Sequence, residues 1–91
     1  MKAVRLLISG RVQGVWYRDW MVAEARARAI DGWVRNTAQG CVEALVSGEA
    51  AMVDQLVEAC RSGPERARVS GIGIDVAEPP AQHGFDRIAD A

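Results

Sequence analysis

An α+β fold, two helices on one face of an antiparallel sheet of four to five strands, is what this 91-residue sequence predicts. Three observations lead there. Apolar residues alternate with polar or small ones at the period of a strand in several short segments. Two longer segments carry the helical period instead. The segments come in the order strand, helix, strand, strand, helix, strand, which packs most simply as βαββαβ.

The first strand is Ala3 to Ser9, where Val4, Leu6 and Ile8 alternate with Arg5, Leu7 and Ser9. After the connection "GRVQGVWY" a helix is expected from about Arg18 to Ala29. Its apolar face is Val22, Ala25 and Ala29, flanked by Met21. Asp19 near its start and Arg26 and Arg28 near its end suit the helix dipole. "GWVRN" (Gly32 to Asn36) reads as the second strand, "TAQG" as a turn that uses Gly40, and "CVEALVS" (Cys41 to Ser47) as the returning strand. The second helix covers Ala50 to Arg61, with Val53, Leu56, Val57 and Cys60 on one stripe, and Gly63-Pro64 stops it. In "ARVSGIGIDVAE" Ile72, Ile74 and Val76 alternate with Gly71, Gly73 and Asp75, so one face of the fourth strand is open or closely approached. "GFDRIA" adds a short edge strand after Pro79-Pro80. The arrangement is the ferredoxin-like split βαβ, an α/β sandwich that hosts many functions.

Length and an apolar fraction near one half fit a single domain over residues 1–91. A formal net charge of -1 argues against nucleic acid as the partner, because backbone phosphates call for a basic face. No apolar run approaches a membrane span. The apolar stretch after Lys2 and Arg5 is too short for a signal peptide, so the cytoplasm is expected. Cys41 and Cys60 are too few and too far apart for a zinc site and read as buried free thiols. His83, the lone histidine, reads as a surface residue. No spacing of His, Cys, Asp or Glu suggests a metal site, and no serine or cysteine has a recognisable base partner. An enzyme built this way would use no cofactor, no metal and no obvious acid–base pair.

The connection between the first strand and first helix is richer than a turn requires. Gly10 and Gly14 let successive N–H groups point inward as an anion nest. The helix that follows aims its positive end at the same place, and Arg18 adds a charged fork. A phosphate group fits that description. A glycine-bearing connection with Arg18 in solvent fits the spacing equally well.

Three stretches carry a family resemblance. "GRVQGVWYR" (Gly10 to Arg18) resembles the signature of the acylphosphatases: glycine, a variable residue, Val-Gln-Gly-Val, a variable residue, an aromatic and arginine. "GWVRNTAQGCVEALVSG" is similar to the family's second signature, and "GPERARV" to the stretch after its second helix. The match runs in order across nearly the whole chain. The resemblance implies hydrolysis of carboxyl-phosphate anhydrides to a carboxylate and inorganic phosphate, without metal or cofactor. It puts the phosphate-binding arginine at Arg18 and the water-positioning asparagine at Asn36. The phosphate cradle then falls on the backbone of Gln13, Gly14, Val15, Trp16, Tyr17 and Arg18. The implied partner is a small-molecule acyl phosphate, with no nucleic acid or membrane, and the expected state is a monomer.

The chemistry explains why so few groups suffice. The leaving carboxylate has a conjugate acid of pKa about 4 and departs without a proton. What remains is to hold the phosphoryl group, spread its charge and place a water in line. Asparagine is no base near neutral pH, so the water's proton is expected to pass to a phosphate oxygen. The motifs specify the phosphoryl half of the substrate and leave the acyl half open.

Some positions depart from the family pattern. Trp16 is a bulky choice; it reads as a packed aromatic, with shaping of the entrance as the alternative. Tyr17 stands where phenylalanine is commoner. Arg28-Ala29 replaces Leu-Gly at the helix end, where a positive φ at Ala29 costs roughly 1 kcal/mol. Thr37 reads either as support for Asn36 or as a turn residue, and Trp20 and Trp33 as packing. Two other functions compete with a general acylphosphatase. One is a non-enzymatic module holding a phosphorylated partner or RNA, which the lack of aromatics in "VRLLIS" and "CVEALVS" disfavours. The other is a domain specialised for carbamoyl phosphate, as in larger maturation proteins; a chain that stands alone favours the general enzyme.

Overall fold

The computed structural model describes residues 1–91. Strands are β1 (Lys2–Arg11), β2 (Asp31–Asn36), β3 (Val42–Gly48), β4 (Arg68–Val76) and β5 (Phe85–Arg87); helices are α1 (Tyr17–Ala27) and α2 (Ala50–Cys60). The strands form one sheet in the order β4-β1-β3-β2-β5. β3 is the middle strand and β1 lies inside the sheet beside it, with apolar residues facing both its neighbours: Leu6 lies opposite Ala44 of β3 and Ile74 of β4. β2 joins β3 with Val34 opposite Ala44. Val4, Leu6, Ile8, Val34, Val42, Ala44 and Val46 are all buried in one hydrophobic cluster with Met21 and Ala25 of α1 and Val53, Leu56 and Cys60 of α2.

The expected sheet was antiparallel throughout; the observed one is mixed. β5 pairs with β2 in parallel, Gly32 opposite Phe85 and Val34 opposite Arg87. After β4 the chain crosses to the opposite edge of the sheet, where β2 already runs in the direction the chain has regained. Phe85, 1% exposed, fills the core there, and Asp31 Oδ1 accepts from the Gly84 N–H at 2.8 Å.

The buried stripe of α1 also differs from the one expected. It is Tyr17, Met21 and Ala25, while Val22 is half-buried and Ala29 exposed. The helix starts one residue earlier than the pattern suggested, which brings Tyr17 onto the stripe. It ends at Ala27, where Ala29 takes φ 54° and the Ile30 N–H donates to the Ala25 carbonyl at 3.0 Å. Ala29 thus does the work of a C-terminal glycine and carries the strain. Gly63, at φ 65°, closes α2 by donating to the Ala59 carbonyl at 3.0 Å. Cys60 is fully buried, and burial pushes its thiol up to about 11. Cys41, expected to be buried, is only half-buried, because it sits where the hairpin turn enters β3.

On the sheet face away from the helices, Glu43 lies between two arginines. Its Oε1 accepts from Arg35 Nε at 2.7 Å and its Oε2 from Arg5 Nε at 2.5 Å. Burial pushes the carboxyl up, but the hydrogen bonds from Arg35 and Arg5 outweigh that and hold it below its ordinary range. A depressed carboxyl contributes stability above its unfolded pKa, about 4.3, and loses it as pH falls through the folded value. Glu43→Gln is expected to cost about 1–2 kcal/mol near neutrality, less than a fully buried pair because both arginines are partly exposed. Urea unfolding at neutral pH and again well below the unfolded pKa checks this: the difference from wild type should shrink in acid. A difference of equal size at both would show that shape, not charge, is responsible.

Candidate active site

Three pieces of chain meet at one end of the sheet: the connection from β1 to α1, the end of β2, and the C-terminal residues. The first begins at a bulge. The β1–β4 register shifts between Ser9 and Gly10, and Gly10 takes φ 120°. A Cβ at Gly10 would lie 2.1 Å from the Arg68 carbonyl oxygen, so only glycine passes here. The chain then curls through Gly14 at φ 72° and Trp16 at φ 67°. Val12, Val15 and Tyr17 are buried between these positions, each 3% exposed or less, and they pin the curl to the core.

The curl leaves a run of donors without partners. From Gln13 to Asp19 no backbone N–H finds a backbone acceptor; the first to do so is Trp20, which donates to the Trp16 carbonyl at 3.0 Å. No side chain caps the start of α1. The positive end of the helix and the unpartnered amides of the curl therefore coincide, a combination suited to an anion.

An open cavity of about 320 Å³ lies against these donors, lined by Val12, Gly14, Trp16, Tyr17, Arg18, Asp19, Asn36 and Arg87. Of the residues expected from sequence, the structure gathers Arg18, Asn36, Gly14, Trp16 and Tyr17 around it. Val15 and Gln13 do not line it. Val15 faces the core. Gln13 serves as a strap: its Nε2 donates to the carbonyls of Thr37 at 2.9 Å and Cys41 at 2.8 Å. It thereby fixes the curl to the β2–β3 turn that follows Asn36. Thr37 does not touch Asn36 through its hydroxyl, which instead accepts from the Cys41 N–H at 3.1 Å and closes the turn.

Tyr17 has a use for its hydroxyl that phenylalanine lacks. It donates to the Cys60 carbonyl at 2.6 Å and ties the start of α1 to the end of α2. Burial, followed by the proximity of Cys60, pushes its pKa far up, so it remains a phenol. Its ring packs edge-on against Trp20 at 5.3 Å between centroids. Trp33 stacks instead under the Arg35 guanidinium at 5.0 Å.

Trp16 corrects the expectation of a packed aromatic: it is 74% exposed. A left-handed residue between buried Val15 and buried Tyr17 turns its side chain out of the core. For a non-glycine residue that backbone costs roughly 1–2 kcal/mol.

Asn36 ends β2, and its Oδ1 is buried without a hydrogen-bond partner. An orphaned acceptor of this kind costs about 1–3 kcal/mol until a donor reaches it. Two residues of the site were missed in the sequence. Asp90 accepts at Oδ1 from Arg18 Nη1 at 2.9 Å and from the Asn36 N–H at 3.4 Å. Arg87 lines the cavity and pairs with Asp19 at 2.7 Å. Both arrive through the parallel pairing of β5. The Ile88 and Ala91 N–H groups, each at 3.0 Å from the carbonyls of Val34 and Asn36, carry that pairing to the end of β2. Pairing between distant segments leaves no local pattern to read. His83 is exposed, with Nδ1 3.2 Å from Asp31 Oδ2. No group of three or more His, Cys, Asp or Glu residues is placed to hold a metal ion. No helix is long and apolar enough to cross a membrane.

The chain matches known proteins over most of its length. The family model described as Acylphosphatase matches residues 4–87. An acylphosphatase of Acidiphilium cryptum is 56% identical over 85 residues, with 93% of each chain covered. One of Rhodospirillum rubrum is 47% identical over 87 residues, with 96% of each covered. The crystal structure of acylphosphatase from Bacillus subtilis superposes with a TM-score of 0.91 at 32% identity, covering 97% of this chain and 99% of that one. The family model over residues 4–87, relatives about half identical along nearly the whole chain and the close superposition have one meaning: the chain belongs to the acylphosphatase family.

Proposed function

We propose that the curl from Gln13 to Arg18 holds the phosphoryl group of an acyl phosphate while Asn36 places the attacking water. The family hydrolyses acyl phosphates to a carboxylate and inorganic phosphate, and this chain does so as one of its members. The observation that carries the residue assignment is the unpartnered run of backbone N–H groups beside both Arg18 and Asn36. Those amides and the guanidinium offset the charge on the equatorial oxygens. Asp90 engages Nη1 alone and so steadies Arg18 while leaving the rest of its fork for phosphate. The Asn36 side chain, on the cavity wall, places that water. The water attacks phosphorus opposite the acyl oxygen, the P–O bond to the acyl group breaks with its electron pair on the carboxylate, and the water's proton passes to a phosphate oxygen. We also read residues 1–91 as one domain that works as a monomer. Its free cysteines suit a reducing compartment such as the cytoplasm.

The test is phosphate release from acetyl phosphate, benzoyl phosphate and a stable phosphomonoester with a metal chelator present. Both acyl phosphates are expected to react far faster than the ester, because an alkoxide leaves poorly without a general acid. Chelator is expected to leave the rates unchanged. Complete loss with chelator, restored by a divalent metal, would sink the mechanism.

A further inference from the structure

We propose that the exposed indole of Trp16 is the platform for the acyl half of the substrate, so that the site prefers acyl phosphates with flat, aromatic acyl groups over small ones such as acetyl phosphate. The proposal rests on the reading of the cavity as the phosphoryl site and concerns the part of the substrate that reading leaves open. In-line attack fixes the direction of the tail: with water on the Asn36 side, the acyl group lies on the far side of phosphorus and must leave through the mouth of the cavity. Three apolar residues line that cavity, Val12, Trp16 and Tyr17. Val12 and Tyr17 are each 1% exposed and have no surface to give, whereas Trp16 is 74% exposed. The indole is thus the only apolar surface the cavity offers to a tail.

The backbone supports the same reading. Trp16 holds φ 67° and ψ 20°, a conformation glycine adopts without strain. Its indole has no ring or guanidinium partner, since the only aromatic pair in the protein is Tyr17 with Trp20 and the only stacked guanidinium lies on Trp33. A strained backbone with an unpacked aromatic at the lip of a phosphate cavity is an arrangement that repays itself when a ligand covers the ring. Buried neighbours on both sides fix the backbone that carries the ring at the cavity.

The experiment measures kcat and KM for benzoyl phosphate and acetyl phosphate in wild type, Trp16→Ala and Trp16→Phe, each checked for folding by thermal melting. The benzoyl-to-acetyl ratio of kcat/KM is expected to fall about tenfold in Trp16→Ala, the scale of one aromatic stacking contact, and to be largely kept in Trp16→Phe. The fall should lie in KM for benzoyl phosphate rather than in kcat, as expected when an interaction is made equally in ground and transition states. An unmoved ratio, with both substrates losing in proportion, overturns the proposal, because Trp16 would then act only through the loop. Competitive inhibition of the wild type by inorganic phosphate separates the two levels. Its presence with an unmoved ratio rejects the platform alone; its absence rejects the phosphoryl site and the platform with it.

Discussion

Arg18→Ala is expected to lower kcat/KM for acyl phosphates by about 10³ to 10⁵, the range for an arginine that meets developing charge in phosphoryl transfer. Two effects combine. The cavity loses the only side-chain cation on the curl itself, leaving the backbone dipoles and Arg87, which Asp19 already engages, to hold the phosphoryl group. Asp90, which donates nothing and is now unpaired, remains beside the Asn36 N–H and repels the incoming phosphate. Arg18→Lys should recover little, because an ammonium cannot serve Asp90 and a phosphate through one planar fork. The pairing gives a further sign to check. Removing Asp90 in the Arg18→Ala background should restore some phosphate affinity, since it deletes the repelling charge. Folding should survive, because Arg18 is only half-buried and its partner Asp90 is exposed, a pair of the kind worth at most about 1 kcal/mol. The measurements are steady-state kinetics and the rise in melting temperature on adding inorganic phosphate, large in wild type and small in Arg18→Ala. A folded Arg18→Ala protein with near-normal turnover would show that the site is elsewhere.

What could be read in the sequence and what could not follows from the range of the interactions. Val4, Leu6 and Ile8 announce β1 because alternation is local, and Gly63-Pro64 announces the end of α2 for the same reason. The pair proposed to act on the phosphoryl group was accessible only through resemblance: spacing alone left Arg18 as well explained by a solvated helix start, and nothing local marks Asn36 as more than a turn residue. Tyr17 was read as part of the connection, since its place on the α1 stripe depends on the helix starting one residue sooner. Trp16 was misjudged because an aromatic between two buried residues ordinarily packs; the left-handed backbone that turns it outward is set by the curl as a whole. The direction of β5, and with it the arrival of Asp90 and Arg87 at the site, depends on a crossing from one edge of the sheet to the other. The side chain of Gln13 has the same character: its motif position suggested a backbone role, while its amide spans two strands' worth of chain to hold the Thr37 and Cys41 carbonyls.

Asn36→Ala separates holding the phosphoryl group from attacking it. If the curl and Arg18 bind phosphate while Asn36 orients water, the variant should keep its affinity for inorganic phosphate and lose kcat by roughly 10² or more, the scale for one well-placed polar group. Asn36→Asp should also be poor, since a carboxylate repels a dianionic phosphate and presents no N–H donor. The competing view is that Asn36 only finishes β2 and starts the turn at Thr37, as asparagines often do. That view predicts lost stability with kcat intact in the folded fraction. The structure gives the two views opposite signs for stability. The hydrogen bonds at Asn36 that hold the fold, to Asp90 and from Ala91, use its backbone and survive in alanine. Its side chain contributes a buried Oδ1 with no partner, so deleting it removes an unsatisfied acceptor. Asn36→Ala should therefore unfold at the wild-type temperature or above it while turning over far more slowly. Phosphate affinity, kcat and melting temperature measured on one preparation decide the matter. A lower melting temperature with unchanged kcat would return Asn36 to the turn. A group that costs stability where it stands and whose removal slows the reaction is what a site that waits for a water requires.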